Sequence, residues 1–213
     1  QAAAFHTAYL TAYVSLVRRG NLTKGEALLV HGSTGGVGMA AVQLGKYLGA
    51  TVIATGTSEE KLEFTKKWGA DHTLLTHKDN IVDFRDEVKD ITNGKGADVI
   101  YDPVGGDVFD HSIRCINWGG RLLVVGFASG RIPNLPINMA LIKGFSVIGV
   151  RAGEYGRKDP EAGIENNNAI RKICEEGHFS PHICKEFDLK DAKDAIQFLS
   201  ERKLVGKIVI KTN

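Results

Sequence analysis

The sequence predicts an α/β chain: a doubly wound, parallel, six-stranded sheet in the order 3-2-1-4-5-6 with a helix and strand tail. Six short apolar runs between Ala27 and Val150 alternate with segments of helical spacing, the rhythm of strand and crossover helix. The runs are apolar throughout rather than alternating, as strands covered on both faces are. Glycines cluster directly after them, at Gly32-x-x-Gly35-x-x-Gly38, Gly56, Gly105-Gly106 and Gly126. Right-handed crossovers then give the doubly wound order, and a ligand belongs at the carboxyl ends of strands one and four.

Each element has a local reason. Residues 2–18 lack proline and place Leu10, Tyr13, Val14 and Val17 on one face, a helix stopped by Gly20. Residues 27–30 form strand one, followed by the glycine turn. The next helix carries Val37, Ala40, Ala41, Leu44 and Leu48 in a stripe. Strand two covers 51–55 and ends at Gly56. Ser58 caps a helix whose Glu59 and Glu60 suit its positive end, closing at Gly69. Strand three is 72–75. Ile81, Phe84, Val88 and Ile91 mark a helix closed by Asn93-Gly94. Strand four is 98–101. A helix with Val108, Phe109, Ile113 and Ile116 ends at Gly119-Gly120, and strand five is 122–125. Pro133 and Pro136 hold an extended crossover, Asn138 caps a short helix to Lys143, and strand six spans 145–150 between Phe145 and Val150. Beyond Arg151 the alternation stops. Asp159-Pro160 opens a helix ending at Gly177, 182–187 is extended, Ala192, Ala195, Ile196 and Leu199 stripe a last helix, and 207–210 is a closing strand without a partner in the main sheet.

Composition narrows the function. A net charge of +2 without a basic block gives little electrostatic support for a nucleic-acid binder, RNA included. Cys115, Cys174 and Cys184 are scattered and odd in number, with no C-x-x-C. They read as buried thiols in a reducing compartment, cytoplasm or mitochondrial matrix. No apolar run spans a bilayer and no signal peptide is present. The seven histidines, His6, His31, His72, His77, His111, His178 and His182, form no H-E-x-x-H, so no metal site is expected. His31 reads as a packed core residue or as a neighbour of the nucleotide. The chain opens at Gln1 without a methionine and reads as a fragment of something larger.

A strand feeding a helix through glycines gathers free amide N–H groups and the positive helix end at one spot, which suits a pyrophosphate. An NAD site carries Asp or Glu at the end of strand two. Here that place holds Gly56-Thr57-Ser58 with Lys61 one turn on. A neutral turn with a hydroxyl and a lysine accepts a 2′-phosphate, which predicts NADPH over NADH. The plainer reading stays open beside it, with Ser58 only an N-cap and Lys61 a solvated charge.

Ala2-Ala-Ala-Phe, Thr11-Ala12-Tyr13, Val30-His-Gly-Ser-Thr-Gly-Gly-Val-Gly38, Gly56-Thr-Ser-Glu-Glu-Lys61, Gly69-Ala-Asp-His72, Asp102-x-Val104-Gly105-Gly106, Gly120-Arg121 and Gly206-Lys207 resemble the zinc-independent quinone oxidoreductases. These are the zeta-crystallin branch of the medium-chain dehydrogenase/reductases, and the likeness covers essentially the whole chain. It implies a Rossmann cofactor domain at 1–151 with its leading helix, a return segment at 152–213, and an amino-terminal GroES-like domain that this chain lacks. It implies NADPH-dependent reduction of quinones or activated alkenes (enals, enones), with weak or no turnover by the chain alone. Gly35, Gly36 and Val37, following Gly32, would cradle the pyrophosphate, and Ser58 and Lys61 would hold the 2′-phosphate. Val104, Phe127 and Ala128, with Gly126 heading their loop, would line the ribose path, and Thr11 would lie near the nicotinamide. Where the family often has a tyrosine helping to hold the 2′-phosphate, this chain has Thr76. Pairing of the 145–150 edge strand across a two-fold axis would give a homodimer.

Hydride transfer needs little from side chains beyond positioning, and no catalytic residue stands out. Tyr155 and Lys158 are three apart, not the Tyr-x-x-x-Lys spacing of short-chain dehydrogenases. Tyr155 reads equally as a residue of the substrate mouth or of a surface loop. A second reading of the chain is a nucleotide-binding or structural module without catalysis.

Overall fold

The structure, a computed structural model, describes residues 1–76, 84–201 and 204–212. Helix α1 (Ala2–Tyr13) buries Ala4, Ala8, Tyr9 and Ala12 and runs into a π-helical segment, Val14–Arg19. The expected single helix therefore widens in its last turns, where the Ser15 hydroxyl donates to the Thr11 carbonyl at 2.6 Å. Strand β1 (Ala27–Val30) is buried at every residue, and α2 (Gly36–Tyr47) follows the glycine turn. Then come β2 (Thr51–Gly56), α3 (Glu59–Lys67), β3 (His72–Leu75), α4 (Arg85–Ile91) and β4 (Ala97–Asp102). Ile81, expected in the fourth helix, and His77 lie outside the described residues. After α5 (Gly106–Cys115) come β5 (Ile116–Val124), α6 (Asn138–Lys143) and β6 (Ser146–Gly149). The strands are parallel in the order β3-β2-β1-β4-β5-β6, as the sequence predicts.

Period-two geometry explains the two covered faces. Leu28, Val30, Val52, Ala54, Val99, Tyr101 and Leu123 point into one core with α1 and α2. Their neighbours Leu29, Ile53, Ile100 and Leu122 point into the other, with Phe84, Val88, Phe109 and Ile113. Burial of each large aliphatic side chain contributes about 1.5–3 kcal/mol, so these two layers fix the register of every central strand.

Two local expectations are corrected, and one helix is added. Helix α5 stops at Cys115 rather than at Gly119-Gly120, because β5 begins at once with Ile116 beside Ala97 and is interrupted by a register shift before Arg121 pairs with Val99. Asn138 is the first residue of α6 and not its cap, a place taken by Ile137 without a side-chain bond. Residues after Arg151 are helical: α7 (Ala152–Lys158) packs against α1, the π segment and α8 (Pro160–Glu175). Asp159 caps α8 as its sequence suggests, accepting from the Ala162 N–H at 3.0 Å.

The closing segment makes its own sheet. Strands β7 (Ile183–Asp188) and β8 (Lys207–Lys211) pair in parallel, with a 3-10 turn at Leu189–Asp191 and α9 (Ala192–Ser200) between them. The α9 stripe is as expected, yet only Ala195 is buried, and Ile196 and Leu199 face outward. Among the described residues no helix is long and apolar enough to cross a membrane. Of the three thiols only Cys115 is buried; Cys174 is half-buried and Cys184 exposed, which corrects the expectation that all three are.

Candidate functional site: an amide-lined turn at the carboxyl ends of the strands

The turn after β1 is set by backbone constraints at two glycines. Gly32 has φ +56°, a left-handed conformation that disfavours side chains. Gly38 is required by space, since a Cβ there would lie 2.3 Å from the Gly32 carbonyl oxygen. The turn is tied to the neighbouring strand by Ser33, whose N–H and hydroxyl both donate to the Thr55 carbonyl, at 3.1 and 2.9 Å. Gly35 donates to the Gly32 carbonyl and, as the α2 N-cap, has no side chain to satisfy the helix amides. Helices α3 and α8 have such caps in Ser58 and Asp159. At α2 the N–H groups of Gly36 and Val37 are left for an outside acceptor.

Two further loops close on this turn. The Asp102 carboxylate accepts from the N–H groups of Val104 and Gly105 at 2.8 and 2.9 Å. Burial pushes this carboxyl up, against the pull of those two donors. The Val104 side chain reaches to 3.3 Å of the position a Cβ would take on Gly32. Gly126 donates to the Asp102 carbonyl and Ala128 to the Pro103 carbonyl, and Phe127 stands exposed beside them. Gly32, Gly35, Gly36, Val37, Val104, Gly126, Phe127 and Ala128 thus belong to adjoining loops at one end of β1, β4 and β5, the end where such sheets take ligands. Asp102, which holds that loop in shape, was visible only as part of a motif.

At the end of β2 the Ser58 hydroxyl accepts from the Lys61 N–H at 3.5 Å, so it caps α3. Lys61 lines an open groove of about 580 Å³ with Glu60, Phe64, His182, Cys184, Phe198 and Val205. A carboxylate, Glu60, therefore shares the groove with Lys61. Thr76 is buried, and its N–H and hydroxyl both donate to the Gly56 carbonyl, so it shapes the end of β2. Thr11 is half-buried on α1, its hydroxyl donating to the Thr7 carbonyl at 2.7 Å. Tyr155 lies on the helix α7 rather than in a loop. His31 is wholly buried between β1, β2 and α5 and belongs to the core. Among the described residues no group of three or more His, Cys, Asp and Glu gathers as a metal site.

The closing segment also reaches the turn. Gly206 donates to the Thr34 carbonyl at 2.8 Å and bridges Gly35 in parallel. Its φ of +73° and the His182 carbonyl, 2.4 Å from any added Cβ, leave room only for glycine. Sequence spacing gives no sign of this contact.

Comparisons agree with this geometry. A quinone oxidoreductase-like protein 2 homolog from Nematostella vectensis is 37% identical over 100% of this chain and 58% of its own length. The acryloyl-coenzyme A reductase of Sulfurisphaera tokodaii is 31% identical over 93% of this chain and 54% of the relative. The structure of Escherichia coli quinone oxidoreductase complexed with NADPH matches with a TM-score of 0.88 at 28% identity, over 99% of this chain and 64% of that one. The chain thus spans about three fifths of the length of such relatives. Residues 36–166, from the first residue of α2 into α8, match the zinc-binding dehydrogenase family. With its sheet order and its amide turn, the chain belongs to that family, in the quinone oxidoreductase branch of the medium-chain dehydrogenase/reductases.

Proposed function

We propose that the chain is the NADPH-holding portion of an oxidoreductase that reduces quinones or activated alkenes. The observation that carries the reading is the start of α2, uncapped by any side chain, at the glycine turn on the carboxyl ends of β1 and β4. Residues present fit the cofactor. The N–H groups of Gly36 and Val37 offer donors to a pyrophosphate. Gly56-Thr57-Ser58 puts no carboxylate at the end of β2, and Lys61 supplies a cation one turn later. Val104, Gly126, Phe127 and Ala128 form the wall along which the ribose and nicotinamide would lie. When bound, NADPH supplies hydride from the nicotinamide C4. This chain's part is to bind and orient it, since no side chain of the described loops is placed as an acid or base. The division into a cofactor domain at 1–151 and a return segment at 152–213 belongs to the same proposal, as does a reducing compartment.

A titration of the chain followed by nicotinamide fluorescence tests the reading. NADPH should bind more tightly than NADH, and Lys61→Ala should weaken NADPH by about tenfold while leaving NADH within about twofold. Equal loss for both would remove Lys61 from the 2′-phosphate. No binding of either dinucleotide would overturn the proposal itself.

A further inference from the structure

We propose that the crevice between α1, α7 and α8 is a binding site for a small neutral carbonyl compound, whose oxygen accepts a hydrogen bond from the Asn166 side-chain amide. The crevice has a volume of about 310 Å³ and is lined by Leu10, Ala152, Gly153, Pro160 and Ile164, with Asn166 and Arg157 as polar members of its wall. That volume lies at the lower end of the range for small-molecule sites, about 300–1,000 Å³. None of these residues belongs to the loops around the glycine turn after β1, so the proposal is independent of the dinucleotide reading. Helices α7 and α8 touch backbone to backbone, since a Cβ on Gly163 would lie 2.9 Å from the Gly156 Cα. At Gly153, by contrast, a Cβ would meet nothing within 4 Å, so this part of α7 turns bare backbone to open space.

Asn166 is 1% exposed, yet half of its amide is unused. The Arg18 Nε donates to its Oδ1 at 2.7 Å. A guanidinium has no acceptor, so this bond fixes which branch of the amide is the oxygen. Nδ2 is the other branch, and among the described residues it has no hydrogen-bond partner. Gln43, a buried amide elsewhere in the chain, is fully used. Its Oε1 accepts from the Tyr9 hydroxyl and the Ser180 N–H, and its Nε2 donates to the Ser180 carbonyl. Leaving a buried donor unmade is costly, and an oxygen brought into the crevice removes that cost. The charge of the ligand follows from the neighbours. Arg18 is matched by Glu165 at 2.7 Å, and Arg157 faces Glu154 at 3.4 Å. With both cations countered, a carboxylate would sit against a neutral amide with its charge uncompensated. A neutral carbonyl carries no such penalty, and the aliphatic wall takes its hydrocarbon body.

Cyclohexanone, titrated into the isotope-labelled chain and followed by NMR, is the probe. It should shift the Asn166 side-chain amide and the Gly153 backbone amide together and saturably, while cyclohexanecarboxylate should leave both in place. Asn166→Asp keeps an acceptor for Arg18 and replaces the free donor by an oxygen. This variant should fold as the parent does and bind cyclohexanone roughly tenfold more weakly, read at Gly153. Gly153→Leu fills the open space without displacing a neighbour and should abolish binding. Cyclohexanone shifts confined to other residues would overturn the proposal, as would undiminished affinity in a folded Asn166→Asp or Gly153→Leu chain. Tighter binding of cyclohexanecarboxylate than of cyclohexanone would overturn it too, since the crevice would then select charge.

Discussion

Both ring nitrogens of His31 are occupied in the core, which determines its proton count. Nε2 lies 2.7 Å from the Ser112 hydroxyl, whose own proton goes to the Val108 carbonyl. Nε2 therefore carries the hydrogen, and Nδ1 accepts from the Thr55 hydroxyl at 2.8 Å. Adding a second proton would turn that acceptor into a donor facing a hydroxyl that must rotate away. Burial pulls the imidazole down from 6.5 to about 3. Unfolded chains then bind a proton below pH 6.5 that the folded chain refuses, so stability is lost as pH falls. The expected slope approaches 1.4 kcal/mol for each pH unit below 6.5, levelling near 3. Urea midpoints at pH 7 and pH 5 should show it, and His31→Gln should remove this part of the slope whatever it does at pH 7. An unchanged slope would mean that the acid sensitivity lies elsewhere. Whether His31 met the nucleotide or the core was open in the sequence, because its position beside the glycine turn is the same in either case. Only the partners Thr55 and Ser112, distant along the chain, decide it.

Among the elements, α2 depends most on its first turn. Gly38→Ala would press a methyl group against the Gly32 carbonyl and the Ser33 Cα, both backbone and unable to step aside. A cost of about 1–3 kcal/mol is expected from such overpacking, together with loss of dinucleotide binding as the turn opens. Denaturant midpoints and a binding titration check the pair; full affinity in a folded Gly38→Ala chain would show that the turn tolerates more than its geometry allows. Helices and strands were largely legible, because Leu28, Val30, Val52 and Val99 on one face and Leu29, Ile53 and Ile100 on the other leave a fully apolar run with a definite length. Boundaries were less so. Gly119-Gly120 looks like a helix stop, yet the helix had already ended at Cys115 and the glycines fall inside an irregular stretch of β5. Nor does Asp159-Pro160, an effective start signal, warn of the extra helix α7 just before it.

Across the whole molecule, β6 is an edge strand that pairs, among the described residues, with β5 on one side only. Val147 on that strand is 37% exposed, with Trp118 at 76% and Leu141 at 82% among nearby elements. Edges and apolar surfaces of this kind are usually covered, and we propose a second copy of the chain as the cover, extending the sheet through a two-fold axis. Light scattering at working concentration should give a dimer, and Val147→Lys with Leu141→Asp should give a monomer that still binds NADPH. A wild-type monomer would count against the assembly. The site itself was half legible at this scale: the amide turn, Val104 and the β5 loop follow from glycines after apolar runs. The uses of Thr76 and Ser58 as backbone ligands, and the arrival of β8, depend on which distant segments meet.

Charges at the two ends of the sheet are treated oppositely. At the amino end Arg121 forks onto Glu26, with oxygens at 2.8 and 2.9 Å, and also donates to the Gly20 carbonyl. At the carboxyl end Gly36 makes way for a lysine from the far end of the chain. Gly36 and Lys207 are thus a matched pair that ordinary recombination separates. In a shuffled library built from this chain and its relatives, crossovers anywhere between them would splice one parent's threshold to the other's latch. A parent with a side chain at 36 would push the flexible end of that lysine off the turn, so hybrids that keep the contact should carry glycine at 36, from either source.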